Sequence, residues 1–247
     1  MSENIKKNNI DILLLSDNGL ETVGGEQEST KIIINGIKDD YRLGVIQPGN
    51  IENKIPNVRY YKMTEKTRIK HLIKNPFAFI LYINKIRRII KMDDPKIIHT
   101  QAQVSFFIIG LLFKLKLISN SIIFIHTERG LYKKYNNFFK RLFIFFMRHL
   151  DTLVTTTEFN MKYWKEALSQ KGYPKNFTII ENTAGDLFET YDASKEKLDA
   201  GKLVVGFAGR YADWKNWPLA MEISEKLQRK LGDQLVVKMA VGCLDKQ

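Results

Sequence analysis

The stretch that decides the fold class is DILLLSDNGLETVGGEQESTKIIINGI, residues 11–37. Residues 11–16 form a short apolar run between polar neighbours, which predicts a buried β-strand. A loop containing Gly24 and Gly25 follows, and residues 26–37 then show helical spacing. A strand, a glycine-containing loop and a helix, in this order, make the opening unit of a nucleotide-binding type of α/β fold.

The same alternation of strands and helices continues for the next 140 residues or so. Further strands are predicted at residues 42–47, 58–63, 96–100, 121–126, 151–156 and 176–181, and further helices at 76–91, 104–116, 137–149 and 158–170. Asn75 followed by Pro76 is typical of a helix start. Seven strands that alternate with helices predict a parallel sheet covered on both faces.

A polar stretch, NTAGDLFETYDASKEKLDAG at residues 182–201, interrupts this pattern. The pattern then restarts with a strand at 203–208, a loop at 209–216, a helix at 217–231 and a strand at 235–241. We therefore predict a Rossmann-like domain over residues 1–185, a linker over 186–201 and the start of a second domain over 202–247. Two strands and one helix cannot bury a sheet on both faces, so we expect the second domain to be truncated or completed from elsewhere.

The net charge of +12 is concentrated in the first 150 residues. Residues 62–91 carry nine basic side chains and one acidic one, and residues 129–149 carry six basic side chains and no acidic one. One interpretation is a solvated basic surface. The other is contact with an anionic partner, either a membrane surface or a polyanion.

The sequence argues against secretion, membrane spans and metal sites. No signal peptide is evident at the start, and the longest apolar stretch, residues 104–113, is short of the roughly 20 residues that span a bilayer. Cys243 is the single cysteine, which excludes an internal disulfide. The missing signal peptide and the single cysteine predict a cytoplasmic protein. There is no cluster of cysteine and histidine and no Asp-x-Asp pair, so we expect no metal or cofactor.

Two cations lie close together in VVGFAGRYADWKNWPL, residues 204–219. The predicted strand leads to Gly209, and Arg210 and Lys215 follow in the loop before a helix. A glycine backbone, two cations and a helix N-terminus together suit a diphosphate, and could stabilise a departing nucleotide without a metal. Spacing alone slightly favours a surface turn with two solvated cations.

The run G-R-x(4)-K-N-W-P-L resembles the donor-phosphate motif of retaining GT-B glycosyltransferases of the family 4 (group 1) class. This resemblance implies two Rossmann-like domains, and it implies that Arg210 and Lys215, preceded by Gly209, bind the donor diphosphate. Gly24-Gly25-Glu26 looks like the glycine-rich loop after the family's first strand. It is not the G-x-G-x-x-G fingerprint, which argues against a dinucleotide site.

In this family, a histidine at the end of a strand faces the reacting sugar. Residues 126–130, HTERG, resemble that motif. The resemblance assigns His126 as the catalytic residue, which would hydrogen-bond the donor sugar and support charge at the anomeric carbon. Further candidates are His99 at the end of another strand, Glu128 within the same motif, and Asn182. The stretch around Asn182 is similar to the family's I-x-N-G hinge, with Thr183 in place of the glycine.

The resemblance implies a retaining glycosyltransferase that moves a sugar from a nucleotide sugar to a lipid-linked or cell-surface glycan acceptor. It would work in the cytoplasm, with peripheral attachment to the inner face of the plasma membrane. The family's acidic E-x(7)-E element is not found, which leaves open whether the chain is active alone. The alternative function is a catalytically inactive, truncated GT-B protein that binds a membrane or a polyanion. A nucleic-acid-binding function is suggested by the charge alone, and the sequence contains no recognised motif for it. The family pattern disfavours a further alternative, an epimerase of the same fold.

Overall fold

The computed structural model describes residues 10–22, 24–52, 54–183, 192 and 201–242. The chain forms two compact units, residues 1–185 and 186–247. Of the predicted linker, only Asp192 and Gly201 are among the described residues, so the linker prediction lies almost wholly outside them.

The first unit contains a seven-stranded parallel sheet with the order β3-β2-β1-β4-β5-β6-β7. Its strands are β1 Ile12–Leu15, β2 Leu43–Gln47, β3 Val58–Lys62, β4 Ile97–Thr100, β5 Ile123–Glu128, β6 Thr152–Thr155 and β7 Asn176–Ile179. Strand β1, an interior strand, pairs with β2 and β4, so that Leu14 lies opposite Val45 on one side and His99 on the other. The predicted seven strands and their parallel arrangement are confirmed.

Six helices connect these strands among the described residues of the first unit. They are α1 Gly25–Ile37, α2 Lys70–Ile73, α3 Pro76–Asp93, α4 Gln103–Lys114, α5 Asn137–Met147 and α6 Glu158–Leu168. The short helix α2 was not predicted, because its four residues lie in a basic stretch without apolar periodicity. No helix within the described ranges is long and apolar enough to cross a membrane.

Apolar residues cover both faces of the sheet. On β1, Leu13 and Leu15 belong to a large core cluster, whereas Ile12 and Leu14 belong to a smaller one together with Ile34 of α1. Side chains alternate between the two faces of a strand, so each face has its own core. The larger cluster receives side chains from five helices: Leu72 of α2, Tyr82 of α3, Phe106 of α4, Phe143 of α5 and Trp164 of α6. This is a doubly wound arrangement, as predicted.

Helix α3 begins as predicted but buries a different stripe of side chains. The Asn75 side chain accepts a hydrogen bond from the backbone N–H of Ala78, at 3.2 Å, and so caps the helix. The sequence pattern predicts an apolar face of Phe79, Ile80, Ile83, Ile86 and Ile90. Ile80, however, is 55% exposed. Tyr82 and Ile89 are buried in addition to the predicted Ile86 and Ile90. The face of α3 that packs against the sheet is therefore rotated about the helix axis from the face predicted by the sequence pattern.

The second unit contains a two-stranded parallel sheet of β8 Leu203–Arg210 and β9 Leu235–Gly242. The helix α7, Trp217–Leu231, connects them, with a proline in its first turn and Gly232 after its last residue. This strand–helix–strand order is the predicted one. Strand β8 runs two residues further than predicted, so that Gly209 and Arg210 belong to it.

Candidate functional site

A pocket of about 280 Å³ lies where β1, β4 and β5 end. Its walls come from four segments: Asp17 and Asn18 after β1, Glu26 at the start of α1, Gln101–Val104 after β4, and Thr127–Gly130 at the end of β5. In an open parallel sheet, ligands bind outside the carboxyl ends of the strands. We refer to this concavity as the carboxyl-edge pocket.

Glu26 connects the start of α1 to the loop after β1. Its Oε1 accepts hydrogen bonds from the Ser16 hydroxyl at 2.6 Å and from the Asp17 backbone N–H at 3.2 Å, while its Oε2 accepts from the Asn18 amide at 2.7 Å. A side chain added at Gly25 would meet no atom within 4 Å. The glycine therefore leaves open space beside Glu26, and the ligand-contacting role of this loop stays a prediction.

Asp17 was missed by the sequence analysis. Its carboxylate accepts hydrogen bonds from the backbone N–H groups of Val104 and Ser105, both at 2.7 Å, and so caps α4. Burial raises the pKa of Asp17 to about 6, even though these hydrogen bonds and one from the Ser105 hydroxyl favour the ionised form. One signal was available: Ala102 precedes α4 and has no side-chain group that can cap it, which leaves the helix N-terminus open to a cap from elsewhere in the chain.

His126 lies beneath the pocket rather than in it. Its side chain is fully buried and stacks on Phe106, with 4.4 Å between the ring centroids. Its Nδ1 donates to the carbonyl oxygen of Thr100 at 3.2 Å, and its Nε2 lies 3.4 Å from Oε2 of Glu128. The expectation that His126 faces the cleft assumed that the strand ends there. Strand β5 continues to Glu128 and directs His126 into the core, so its catalytic role stays a prediction without a contact to the pocket.

Glu128 is the member of the HTERG segment that joins His126 to the pocket. Although it is nearly fully buried, it lines the pocket. Its Oε1 accepts hydrogen bonds from the Gly130 backbone N–H at 2.5 Å and from the Tyr135 hydroxyl at 2.9 Å. A Cβ at position 130 would overlap the Tyr135 hydroxyl, so this approach requires glycine. The Gln103 amide also contacts that hydroxyl.

Arg129 is a second residue that the sequence analysis did not single out. Its Nη1 donates to the backbone oxygen of Gln101 at 2.8 Å, and its Nη2 donates to Gln101 Oε1 at 2.9 Å. Burial lowers the pKa of Arg129, and the charges of Glu26 and Glu128 oppose this shift. The available signal was a cation directly after a strand that ends at the ligand-binding edge.

His99 and Asn182 line a smaller pocket of about 80 Å³ on the α1 face of the sheet, to which Arg129 also contributes. The His99 Nε2 accepts from the Gln101 amide at 3.0 Å and lies 2.8 Å from the Thr127 hydroxyl. Burial, followed by the charges of His126 and Arg129, lowers the pKa of His99 to about 3. Asn182 Oδ1 lies 3.4 Å from the Ser29 hydroxyl. Both residues thus adjoin the site, and their roles stay predictions.

The predicted donor loop lies in the second unit. Gly209 and Arg210 are the last two residues of β8, and Lys215 ends a 3₁₀ turn, Asp213–Lys215, that precedes α7. A Cβ at Gly209 would lie 3.7 Å from Cδ of Lys215, so the lysine stem passes beside this glycine. The Arg210 side chain is outside the described part of the structure, and diphosphate binding by this loop stays a prediction.

The residues that the structure describes contain no group of three or more histidine, cysteine, aspartate or glutamate residues placed to hold a metal ion.

Comparison with known sequences identifies the family. A sequence profile of glycosyltransferase family 4 matches residues 42–183, more than half of the chain. The chain belongs to glycosyltransferase family 4. The matched range includes His99, His126, Glu128 and Arg129, and the resemblance inferred from the motifs is confirmed at the level of the family. No curated protein sequence matches the chain.

Several solved structures share the fold. Anabaena HepE in complex with UDP and glucose superposes with a TM-score of 0.64 at 13% identity, over 96% of this chain and 62% of HepE. The lipopolysaccharide outer core galactosyltransferase WaaB gives 0.59 at 10% identity, over 94% and 68%. Sucrose-phosphate synthase from Thermosynechococcus elongatus gives 0.57 at 12% identity, over 94% and 71%. The chain therefore has the GT-B fold, and it spans 62% of the length of HepE.

Proposed function

We propose that this chain provides the acceptor-side domain and part of the donor site of a retaining glycosyltransferase. The observation that carries the proposal is the family 4 match over residues 42–183, which contribute most of the carboxyl-edge pocket. The enzyme would transfer a hexosyl unit from a nucleotide sugar to a lipid-linked or cell-surface glycan. The chain covers 62% of HepE, so the activity of the whole protein is part of this proposal.

The donor diphosphate would bind at the end of β8. Arg210 and Lys215 would contact the phosphate oxygens, and the N-terminus of α7 directly after them would add its partial positive charge. The solved HepE complex contains UDP and glucose, and we take a uridine diphosphate sugar as the first donor to try. Two fixed cations can stabilise the departing diphosphate without a metal or another cofactor.

The carboxyl-edge pocket would bind hydroxyl groups of a sugar. Three carboxylates line it, Asp17, Glu26 and Glu128, and each already accepts hydrogen bonds from protein groups. Such carboxylates are held in fixed positions and retain spare lone pairs for further donors. Arg129 supplies donors that Gln101 does not occupy. In this proposal Glu128 contacts the substrate, and His126 acts through Glu128 as a positioning residue.

Transfer from a panel of nucleotide sugars, with water as the minimal acceptor and mass spectrometry of the products, tests this proposal. We expect slow release of the nucleoside diphosphate from one donor. Arg210→Ala and Lys215→Ala should abolish this release, whereas Arg229→Ala, an exposed arginine of α7, should not change it. Release that survives both donor-loop substitutions would contradict the assignment of the loop.

An anionic membrane surface is the partner that we propose for the basic first unit. Phe77 and Leu81 of α3 are 82% and 69% exposed, and Phe138 of α5 is 69% exposed. The basic residues Lys85 and Arg88 lie on the same helix as the first two. Each cation near an anionic leaflet contributes about 1 kcal/mol, and exposed aromatic rings favour the interface. Such attachment would bring a lipid-linked acceptor to the pocket.

The same surface supports a second candidate function, a catalytically inactive GT-B protein that binds a membrane or a polyanion. Sedimentation with anionic and with neutral vesicles measures the attachment, and Phe77→Ala/Leu81→Ala should weaken it. Leu219→Ala/Met221→Ala, which removes two half-exposed apolar side chains of α7, is the matched control. Vesicle binding without any donor turnover would favour this second candidate over the enzyme.

A further inference from the structure

A larger cavity lies at the opposite edge of the same sheet, where the strands begin. Its volume is about 520 Å³, against about 280 Å³ for the carboxyl-edge pocket. Its walls come from the segments that follow α4, precede β5, follow α5 and precede β7. We call it the amino-edge cavity. Its size is within the range of about 300–1,000 Å³ that is typical of pockets for small molecules.

The walls of the amino-edge cavity carry an excess of positive charge. Lys114, Lys116, Arg148 and Lys175 line it, and Asp151 is the acidic residue among the described lining residues. The Asp151 carboxylate is already engaged, since one oxygen accepts from Lys175 at 2.8 Å and the other from the Phe124 backbone N–H at 3.0 Å. No ion pair is found for the other three cations within the described residues.

His149 adds an unpartnered polar atom to this cavity. Its Nε2 is shielded from solvent and has no hydrogen-bond partner among the described residues. The ring lies parallel to that of Phe113, at 9° and 6.0 Å between centroids, which limits its freedom. Burial lowers the pKa of His149, and the charges of Arg148 and Lys114 lower it further. A buried polar atom without a partner is costly, and a bound group that satisfies it removes the cost.

Helix ends explain only part of this arrangement. Lys114 is in the last turn of α4 and Arg148 follows the last residue of α5, where cations stabilise the negative end of a helix dipole. That effect does not account for the solvent-shielded nitrogen of His149. It also does not account for Lys175, which reaches the same cavity from the segment before β7. Cations from separate segments that converge on one cavity are typical of an anion site.

We propose that the amino-edge cavity binds a phosphate monoester, with Lys114, Lys116 and Arg148 contacting its oxygens and His149 contributing a hydrogen bond. This site is at the far end of the strands from the carboxyl-edge pocket, and it shares no residue with the proposed donor loop. The phosphate can belong to a soluble metabolite or to a phospholipid headgroup, and the two sources share this recognition chemistry.

The test follows the imidazole resonances of the four histidines by NMR while glycerol 3-phosphate is added to the whole chain. The His149 signals are assigned by their loss in His149→Gln. We expect a saturable shift of the His149 signals that is at least 10-fold weaker in Lys114→Gln/Arg148→Gln. The matched control, Arg141→Gln/Lys162→Gln, removes two exposed cations that do not line the cavity and should behave like the wild type.

A second arm replaces the soluble ester with vesicles that contain phosphatidic acid, against vesicles of phosphatidylcholine alone. Saturation by glycerol 3-phosphate assigns a soluble ligand. A response to phosphatidic acid alone, lost in Lys114→Gln/Arg148→Gln, assigns a lipid headgroup. The proposal is overturned if neither probe moves the His149 signals, or if the response persists unchanged in the double variant. Neither result depends on sugar transfer.

Discussion

Oε2 of Glu128 lies 3.4 Å from Nε2 of His126, and Glu128 lines the carboxyl-edge pocket whereas His126 does not. The two residues are on the same face of β5, one strand repeat apart. Glu128 is therefore the pocket residue whose side chain directly contacts the His126 imidazole. In the proposed site, the glutamate rather than the histidine would therefore contact the substrate.

Glu128→Ala should lower the free energy of unfolding by about 2–4 kcal/mol, because it leaves the Gly130 N–H and the Tyr135 hydroxyl without their acceptor. Glu128→Gln preserves the shape and should cost less stability while still reducing sugar transfer. Urea unfolding and donor turnover measure the two effects. Glu166→Ala, at an exposed glutamate of α6, is the control and should stay within about 0.5 kcal/mol of the wild type. If Glu128→Ala were as stable as the control variant, the structural role assigned to Glu128 would be contradicted.

Arg129→Lys keeps the charge but cannot reproduce the two hydrogen bonds to Gln101. We expect turnover to fall by about 10–100-fold, equivalent to about 1.4–2.8 kcal/mol, while nucleotide binding at the second unit is unchanged. Arg141→Lys, at an exposed arginine of α5, should leave both quantities unaltered. Unchanged turnover in Arg129→Lys would show that the guanidinium does not contact the substrate.

Acid should destabilise the first unit through His99. Its pKa is lowered from the ordinary 6.5 to about 3, with burial as the main cause and His126 and Arg129 as further ones. Between these two values the unfolded chain binds more protons, so stability is complete above pH 6.5 and falls as the pH decreases towards 3. The slope is at most about 1.4 kcal/mol per pH unit.

The comparison of wild type and His99→Gln by unfolding at pH 4.5, 5.5, 6.5 and 7.5 isolates this effect. Asp17 gives the opposite slope between pH 3.8 and about 6, because its pKa is raised in the folded state, and it does so in both proteins. The difference between the two stabilities should therefore shift in favour of His99→Gln as the pH falls. A difference that is constant over this range would contradict the lowered pKa.

Asp93→Ala should lower the free energy of unfolding by about 2–4 kcal/mol. Asp93 is buried at the end of α3, where it pairs with Arg59 at 3.0 Å and accepts a hydrogen bond from the Tyr61 hydroxyl. Its loss would leave both partners on β3 uncompensated. Asp39→Ala removes an exposed carboxylate that makes one long hydrogen bond at 3.3 Å, and is expected to be nearly neutral. Urea unfolding of the two variants decides between these expectations.

The fold could be predicted because its determinants are local. Apolar runs gave the seven strands, and a proline and Gly232 at its two ends gave the bounds of α7. The site was harder to predict because its polar residues are satisfied by distant partners. Thr127 and Glu128 remain in the strand because they pair with Val154 and Thr155 of β6, and no local pattern shows these pairings. The strand end was therefore set two residues early.

The most direct test of the central claim is calorimetric titration of the chain with nucleoside diphosphates, beginning with UDP. We expect one of them to bind, and we expect Lys215→Ala to weaken its affinity by at least about 10-fold through the loss of a charge-assisted hydrogen bond. Lys226→Ala, at an exposed lysine of α7, should bind like the wild type. Equal affinity of the Lys215→Ala and Lys226→Ala variants, or no binding of any nucleoside diphosphate, would contradict a donor site at the end of β8.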